Sequence, residues 1–176
     1  MKEKLERLRF YLDYIEEHYN NVITAWKLIQ EKCSDLDFIK DARLRKRIDD
    51  EVKDHDLSKL SAQELVQYQE KFYPTEAEKT KKGVRPRFKE AFAHHKKENL
   101  HHVEAWRDAD FKDPREWVVH CVHMIADWHA MGTKFGDDAF QFFRKTKPKG
   151  LDEEALILID QIFDRIYGKR ILSENF

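Results

Sequence analysis

Glycine, proline and cysteine are all scarce in this chain. Its 176 residues hold five glycines, four prolines and two cysteines. So little punctuation, beside abundant Lys, Glu and Leu, argues for an all-α chain and gives a β-sheet little support. The cysteines, Cys33 and Cys121, form no CxxC pair and no disulfide framework, which predicts a reducing, cytoplasmic setting. No stretch approaches the roughly 18 uninterrupted apolar residues of a membrane span. The N-terminus "MKEKLERLRFYLDYIEEHYNNV" is charged throughout and has no signal-type apolar run. An excess of either sign of charge is missing as well. The net charge is −1, which points away from nucleic acid and membrane as partners. The basic run of Lys79, Lys81, Lys82, Arg85 and Arg87 reads first as a solvated loop, with phosphate steering as the minority reading.

Hydrophobic residues make up 41% of the chain and charged residues 38%. That mixture suits one domain of long helices with solvated faces. Residues 2–32 read as one amphipathic helix, with Leu5, Leu8, Leu12, Ile15, Tyr19, Val22, Trp26 and Ile29 at steps of three and four. His18 lies beside that stripe. Residues 35–55 read as a second helix whose stripe of Leu36, Ile39, Leu44, Ile48 and Val52 runs into His55. Ser61 and Glu64 form the capping-box pattern that would start a third helix, leaving Asp56–Leu60 as a tight corner. Residues 73–86 form the loosest part, a flexible loop or flap. Helical patterning resumes at Arg87, and again after Asn99 with His102 and Trp106. Pro114 reads as the opening of a helix over 114–131, with Gly132 and Gly136 at its end. An aromatic segment at Phe140, Phe142 and Phe143 leads to a break at 147–150 and a last helix over about 152–167, within a C-terminal helical region of 150–176.

The nine histidines carry the chemistry. Imidazole binds metal through a neutral ring nitrogen, and imidazole with carboxylate suits Mn, Fe, Co, Ni or Zn. His129 and His120 read as ordinary structural residues. The pairs His94-His95 and His101-His102 flank Asn99, and only one member of each can point inward from a regular helix unless a helix end lies there, which Asn99 suggests. In "HDLSK", His55 and Asp56 are about 100° apart on a regular helix, so they converge only where the helix ends. Turn chemistry is the plainer account of Asp56. Asp127 stands in the apolar run "HMIADWHAM", where a carboxylate facing the core must be paired or metal-bound. His123, four residues earlier, shares its face and reads equally as a ligand or as a partner to one.

The order His18, His55-Asp56, Asp127 resembles the HD-domain superfamily of metal-dependent phosphohydrolases. The resemblance implies an all-α helical bundle of HD type over residues 1–176. It implies a divalent transition metal held by His18, His55, Asp56 and Asp127. It also implies a second ion at histidines between the doublet and the last aspartate, where His95, His101 and His102 are the candidates and His94 and His123 the reserves. Asp56 and Lys59 become catalytic candidates, and Lys59, with Arg85 and Arg87, a phosphate-binding one. The expected activity is hydrolysis of a nucleotide or other small phosphoester. The same scaffold also serves di-iron oxygenases, and a non-catalytic, phage-borne metal-binding protein is the third reading. More narrowly, "HDLSKLSAQELVQY", "AHHKKENLHHVEAW" and "MIADWHAMGTKFG" are similar to blocks of a phage and bacterial family of unknown function, over about residues 15–136. That pattern has Glu where this chain has His123.

Overall fold

The computed structural model describes residues 2–80 and 82–172, and all the regular structure among them is helical. Lys81 of the basic run and residues 173–176 of the expected C-terminal region lie outside the described residues. The spine is α1 (Lys2–Lys32), an unbroken run without Gly or Pro. Its buried face is Tyr11, His18, Val22, Ala25, Trp26 and Ile29. The expected leucine stripe is wrong in the first half, where Leu5 and Leu12 are exposed. Both faces satisfy helical spacing, and packing chose the aromatic one. His18 is therefore on the inward face, not beside it.

The expected 35–55 helix is two helices, α2 (Asp37–Lys40) and α3 (Ala42–Lys53). Asp41 divides them. Its backbone is extended and its carboxylate accepts from the N–H groups of Arg43 and Leu44, an N-cap that begins α3 afresh. The apolar stripe survives the break, with Leu36, Ile39, Leu44, Ile48 and Val52 all buried. A short 3₁₀ turn, Leu57–Leu60, follows the corner.

Then come α4 (Leu65–Phe72), α5 (Glu76–Lys79) and α6 (Val84–Glu98). The expected Ser61–Glu64 capping box does not form, because α4 starts after Glu64 and has no side-chain cap. A capping box does occur at Thr75 and Glu78, inside the segment expected to be loose. Arg7 pairs with Glu78 at 2.5 Å and ties that segment to α1. Helix α6 begins three residues before Arg87, with Pro86 in its first turn, where a missing N–H costs nothing. After Asn99 the chain forms a 3₁₀ turn, Val103–Asp108, in place of the expected helix.

The central helix is α7 (Glu116–Phe135), followed by α8 (Ala139–Thr146) and α9 (Glu153–Tyr167). Pro114 sits in the turn before α7. Gly132 lies within α7, and Gly136, at φ 72°, ends it. Gly168, at φ 62°, ends α9, so the C-terminal helix stops well short of residue 176. None of these helices is long and apolar enough to cross a membrane.

Helix α7 packs along α1, α3, α8 and α9 around the main apolar core. A smaller cluster of Tyr11, Tyr68 and Ala91, joined by Tyr14 and Phe88, lies between α1, α4 and α6. His18, His55, His95, His101, His102 and His123 form one connected group of rings.

Gly132 is a close-approach glycine. A Cβ there would sit 2.7 Å from the Asp137 carbonyl oxygen and 2.9 Å from Asp138 Cα, both backbone. Gly132→Ala should cost about 1–3 kcal/mol through this overpacking. A urea titration would show it, and an unchanged midpoint would mean that the α7–α8 corner yields freely.

Candidate metal centre

The corner after α3 turns on one residue. Asp56 is left-handed, at φ 58° and ψ 21°. Asp visits this region more readily than most side chains. The turn frees His55 and Asp56 from helical spacing, and both are buried facing one point. Helix α1 brings His18 to the same place and α7 brings Asp127.

His18 Nε2 lies 2.9 Å from His55 Nε2, 3.1 Å from Asp127 Oδ1 and 3.6 Å from Asp56 Oδ2. His55 Nε2 lies 3.2 Å from Asp56 Oδ2 and 3.7 Å from Asp127 Oδ1. The other oxygen of Asp56 faces away from these. Its Oδ1 is 3.2 Å from His95 Nε2 and 3.4 Å from His101 Nε2. Asp56 thus joins two groups of donors, one oxygen to each.

Ligands bound at about 2.1 Å around one ion lie about 3.0 Å apart at right angles and about 3.4 Å apart at tetrahedral angles. The spacings here fall in and around that range. Several donors also lack partners. Asp56 Oδ1, His101 Nε2 and His102 Nε2 are buried with no hydrogen bond. Buried polar atoms left unpaired are costly, and a shared cation would satisfy all three. The residues present suit a metal ion. Three groups have their donor atoms within 4.8 Å of one another: Asp56 with His95, His101 and His102; His18 with His55 and Asp127; and His55 with His101 and His123.

A model of a family of unknown function, DUF5662, matches residues 7–165, a span that holds every donor just named. The chain belongs to that family. No curated protein and no solved structure matches it.

Electrostatics keep the DUF5662 centre anionic. Burial pushes the Asp56 carboxyl up, but His55 and Lys59 outweigh it and hold the group well below the ordinary carboxylate range. Burial also opposes charge on Asp127, and the hydrogen bond it accepts from His18, together with the charges of His55 and His101, overcomes it. Lys59 is buried against Asp56 Oδ2. Burial disfavours its ammonium, yet Asp56 raises its pKa above the ordinary value.

Two residues stand behind the donors. Glu64 is wholly buried, and its two oxygens accept from His94 Nδ1 at 2.7 Å and His95 Nδ1 at 3.0 Å. A proton fixed on Nδ1 of His95 leaves Nε2 free to face Asp56. The spacing of Glu64 from Ser61 suggests a helix cap instead. The signal that would have found it is a glutamate in register with a distant histidine pair, visible only once α4 lies on α6. His123 does the same for His55, with its Nε2 2.9 Å from His55 Nδ1. Burial first, then His101 and His55, push the His123 pKa well down, so this ring is a neutral acceptor.

His94 is held by Glu64 and belongs to none of the three donor groups. Both His101 and His102 join one group, which a regular helix would not permit, because α6 ends at Asn99 as the sequence suggests. The chain is not helical there: His102 is extended, at φ −96° and ψ 115°. His129 bonds Tyr167 Oη, and His120 is buried against Phe111. Arg85 is exposed, and Arg87 pairs with Glu70, so neither lines the cavity. That cavity, about 690 Å³, opens over Asp56, Lys59, His95 and Asp127. Its walls are Tyr14, Tyr68, Phe88 and Phe92 on one side and Met124, Trp128 and Met131 on the other, with Lys96 and Lys149 also lining it.

Two outcomes follow. Glu64→Gln keeps the shape but removes the charge behind His95, and should weaken metal binding by about 10- to 100-fold. Calorimetric titration of the stripped protein reads this, and unchanged affinity would leave Glu64 a packing residue. Burial depresses His120 to about 4 and, with the charge of His101, His102 to about 3. Both rings are neutral when folded, while the unfolded chain takes up protons below about 6.5. Metal-stripped protein should therefore lose stability as pH falls from about 6.5 towards 4. Denaturant midpoints across that range check the sign, and a flat profile would contradict it.

Proposed function

We propose that the protein is a metal-dependent phosphohydrolase of HD type that acts on a nucleotide or other small phosphoester. The observation that carries this reading is the shared carboxylate of Asp56. One oxygen faces His18 and His55, the other faces His95 and His101, and the buried ammonium of Lys59 stands beside it at the floor of a wide cavity. His18, His55, Asp56 and Asp127 would hold one divalent ion of the Mn, Fe, Co, Ni or Zn group, and Asp56, His95, His101 and His102 a second.

Such an ion, when bound, polarises a phosphoryl oxygen and lowers the pKa of water. The chain's own residues do the rest. Asp56 and Asp127 stay ionised and fix the position of positive charge. Lys59 is a compact point charge for a phosphoryl oxygen. The aromatic walls take the apolar part of the substrate and keep bulk water from the reacting end.

Asp56→Ala should abolish metal-dependent turnover, since it removes a donor from both groups. Lys59→Ala should leave metal content intact and raise KM by about tenfold, the loss of one charged hydrogen bond, with kcat less affected. A panel of nucleotides and a generic phosphodiester with Mn, Co, Ni, Fe or Zn tests both variants. No turnover by wild type across the panel would sink the reading. Visible absorption from a bound iron pair together with that failure would favour a di-iron oxygenase on the same scaffold.

A further inference from the structure

The two halves of the centre offer an ion different chemistry. His18, His55, Asp127 and Asp56 Oδ2 supply two imidazoles and two carboxylates. The Lys59 ammonium already holds Oδ2, so a cation on that half shares the oxygen with another positive charge. Asp56 Oδ1, His95, His101 and His102 supply three imidazoles and a single carboxylate. Glu64, behind His95, strengthens that ring as a donor.

Spacing separates them too. On the imidazole-rich half, the two edges from Asp56 Oδ1 are 3.2 and 3.4 Å, close to a tetrahedral edge of about 3.4 Å. On the carboxylate-rich half the edges spread more widely, with 2.9, 3.1 and 3.2 Å beside 3.6 and 3.7 Å, and the shortest two lie near the right-angled value of about 3.0 Å. That polyhedron is irregular. Each half has four protein donors, but the imidazole-rich half comes closer to tetrahedral edges, and imidazole favours zinc, cobalt and nickel over manganese far more steeply than carboxylate does.

The geometry points to two unlike ions: a retained, four-coordinate zinc-class ion on the imidazole-rich half, with His102 as a ligand, and an exchangeable, harder ion such as Mn²⁺ on the carboxylate-rich half. This rests on the centre holding two ions and not on any phosphoester turnover.

Metal-stripped protein titrated with cobalt(II) tests it by visible spectroscopy. The first equivalent should give the intense bands of four-coordinate cobalt and the second only weak ones. After excess manganese and desalting, elemental analysis should find about one cobalt retained per chain and the other exchanged. His102→Ala should lose the intense bands and the retention, and His102→Gln serves if the alanine variant fails to fold by circular dichroism. Asp127→Asn should keep the bands and lose the second equivalent. Two equivalents with one spectrum and equal exchange would overturn the inference. So would His102→Ala keeping the bands, or Asp127→Asn losing them. Absence of turnover in the doubly loaded protein would count against the phosphohydrolase alone and leave these spectra as they are.

Discussion

A carboxylate at 4% exposure must be compensated, and the centre of this fold is the compensation of Asp56. An uncompensated buried charge costs several kcal/mol even after relaxation. Lys59 and the surrounding imidazoles supply that balance. The left-handed corner lets one residue face groups on both sides at once. In a regular helix one oxygen of Asp56 would face solvent or the helix's own backbone, and the two groups would have no common member. The positions of α1, α6 and α7 then follow from the need to bring His18, His95 and Asp127 to the same carboxylate.

Tertiary demand overrode local chemistry at Glu64. A Ser61–Glu64 capping box would satisfy two backbone N–H groups at the start of α4, and the sequence permits it. Instead Glu64 takes two histidines from α6, and α4 begins with no side-chain cap. A cap is worth about 1 kcal/mol, and hydrogen bonds to a buried charge are worth about 1.5–3 kcal/mol each. Two of the latter outweigh one of the former. The helix start is less well satisfied so that His95 is held in one tautomer.

This difference in energy also marks what could be read from the sequence. Long apolar periods gave the extents of α1 and α9 and the all-α class, because many residues agree on one phase. The stripe Leu36 to Val52 gave its burial but not the cut at Asp41, since one side chain decides a cap. The leucines of α1 misled, because Leu5 and Leu12 keep the same spacing as the buried Tyr11 and His18. Asp56, Asp127, His55 and His18 were legible from their types and order. Glu64 was not, because its partners lie 30 and 31 residues away and its local pattern had a sufficient explanation. His102 could be read as a candidate through Asn99, which ends α6: the rule that only one of two adjacent histidines faces inward holds for a helix, and His102 is extended.

His123 shows how the centre manages charge. Either histidine or glutamate at this position could accept the Nδ1 proton of His55. A glutamate would add a third carboxylate beside Asp56 and Asp127, with Lys59 as the nearby cation. The neutral ring of His123 supplies the acceptor without the charge. The cost is a weaker pull on the His55 proton, so His55 is a poorer donor than His95, which has Glu64 behind it. The two halves of the centre therefore differ in their outer partners in the same sense as in their ligands. The half rich in carboxylate has a neutral residue behind its histidine, and the half rich in imidazole has the anion. Negative charge is spread across the site, with no excess gathered on one side of Asp56.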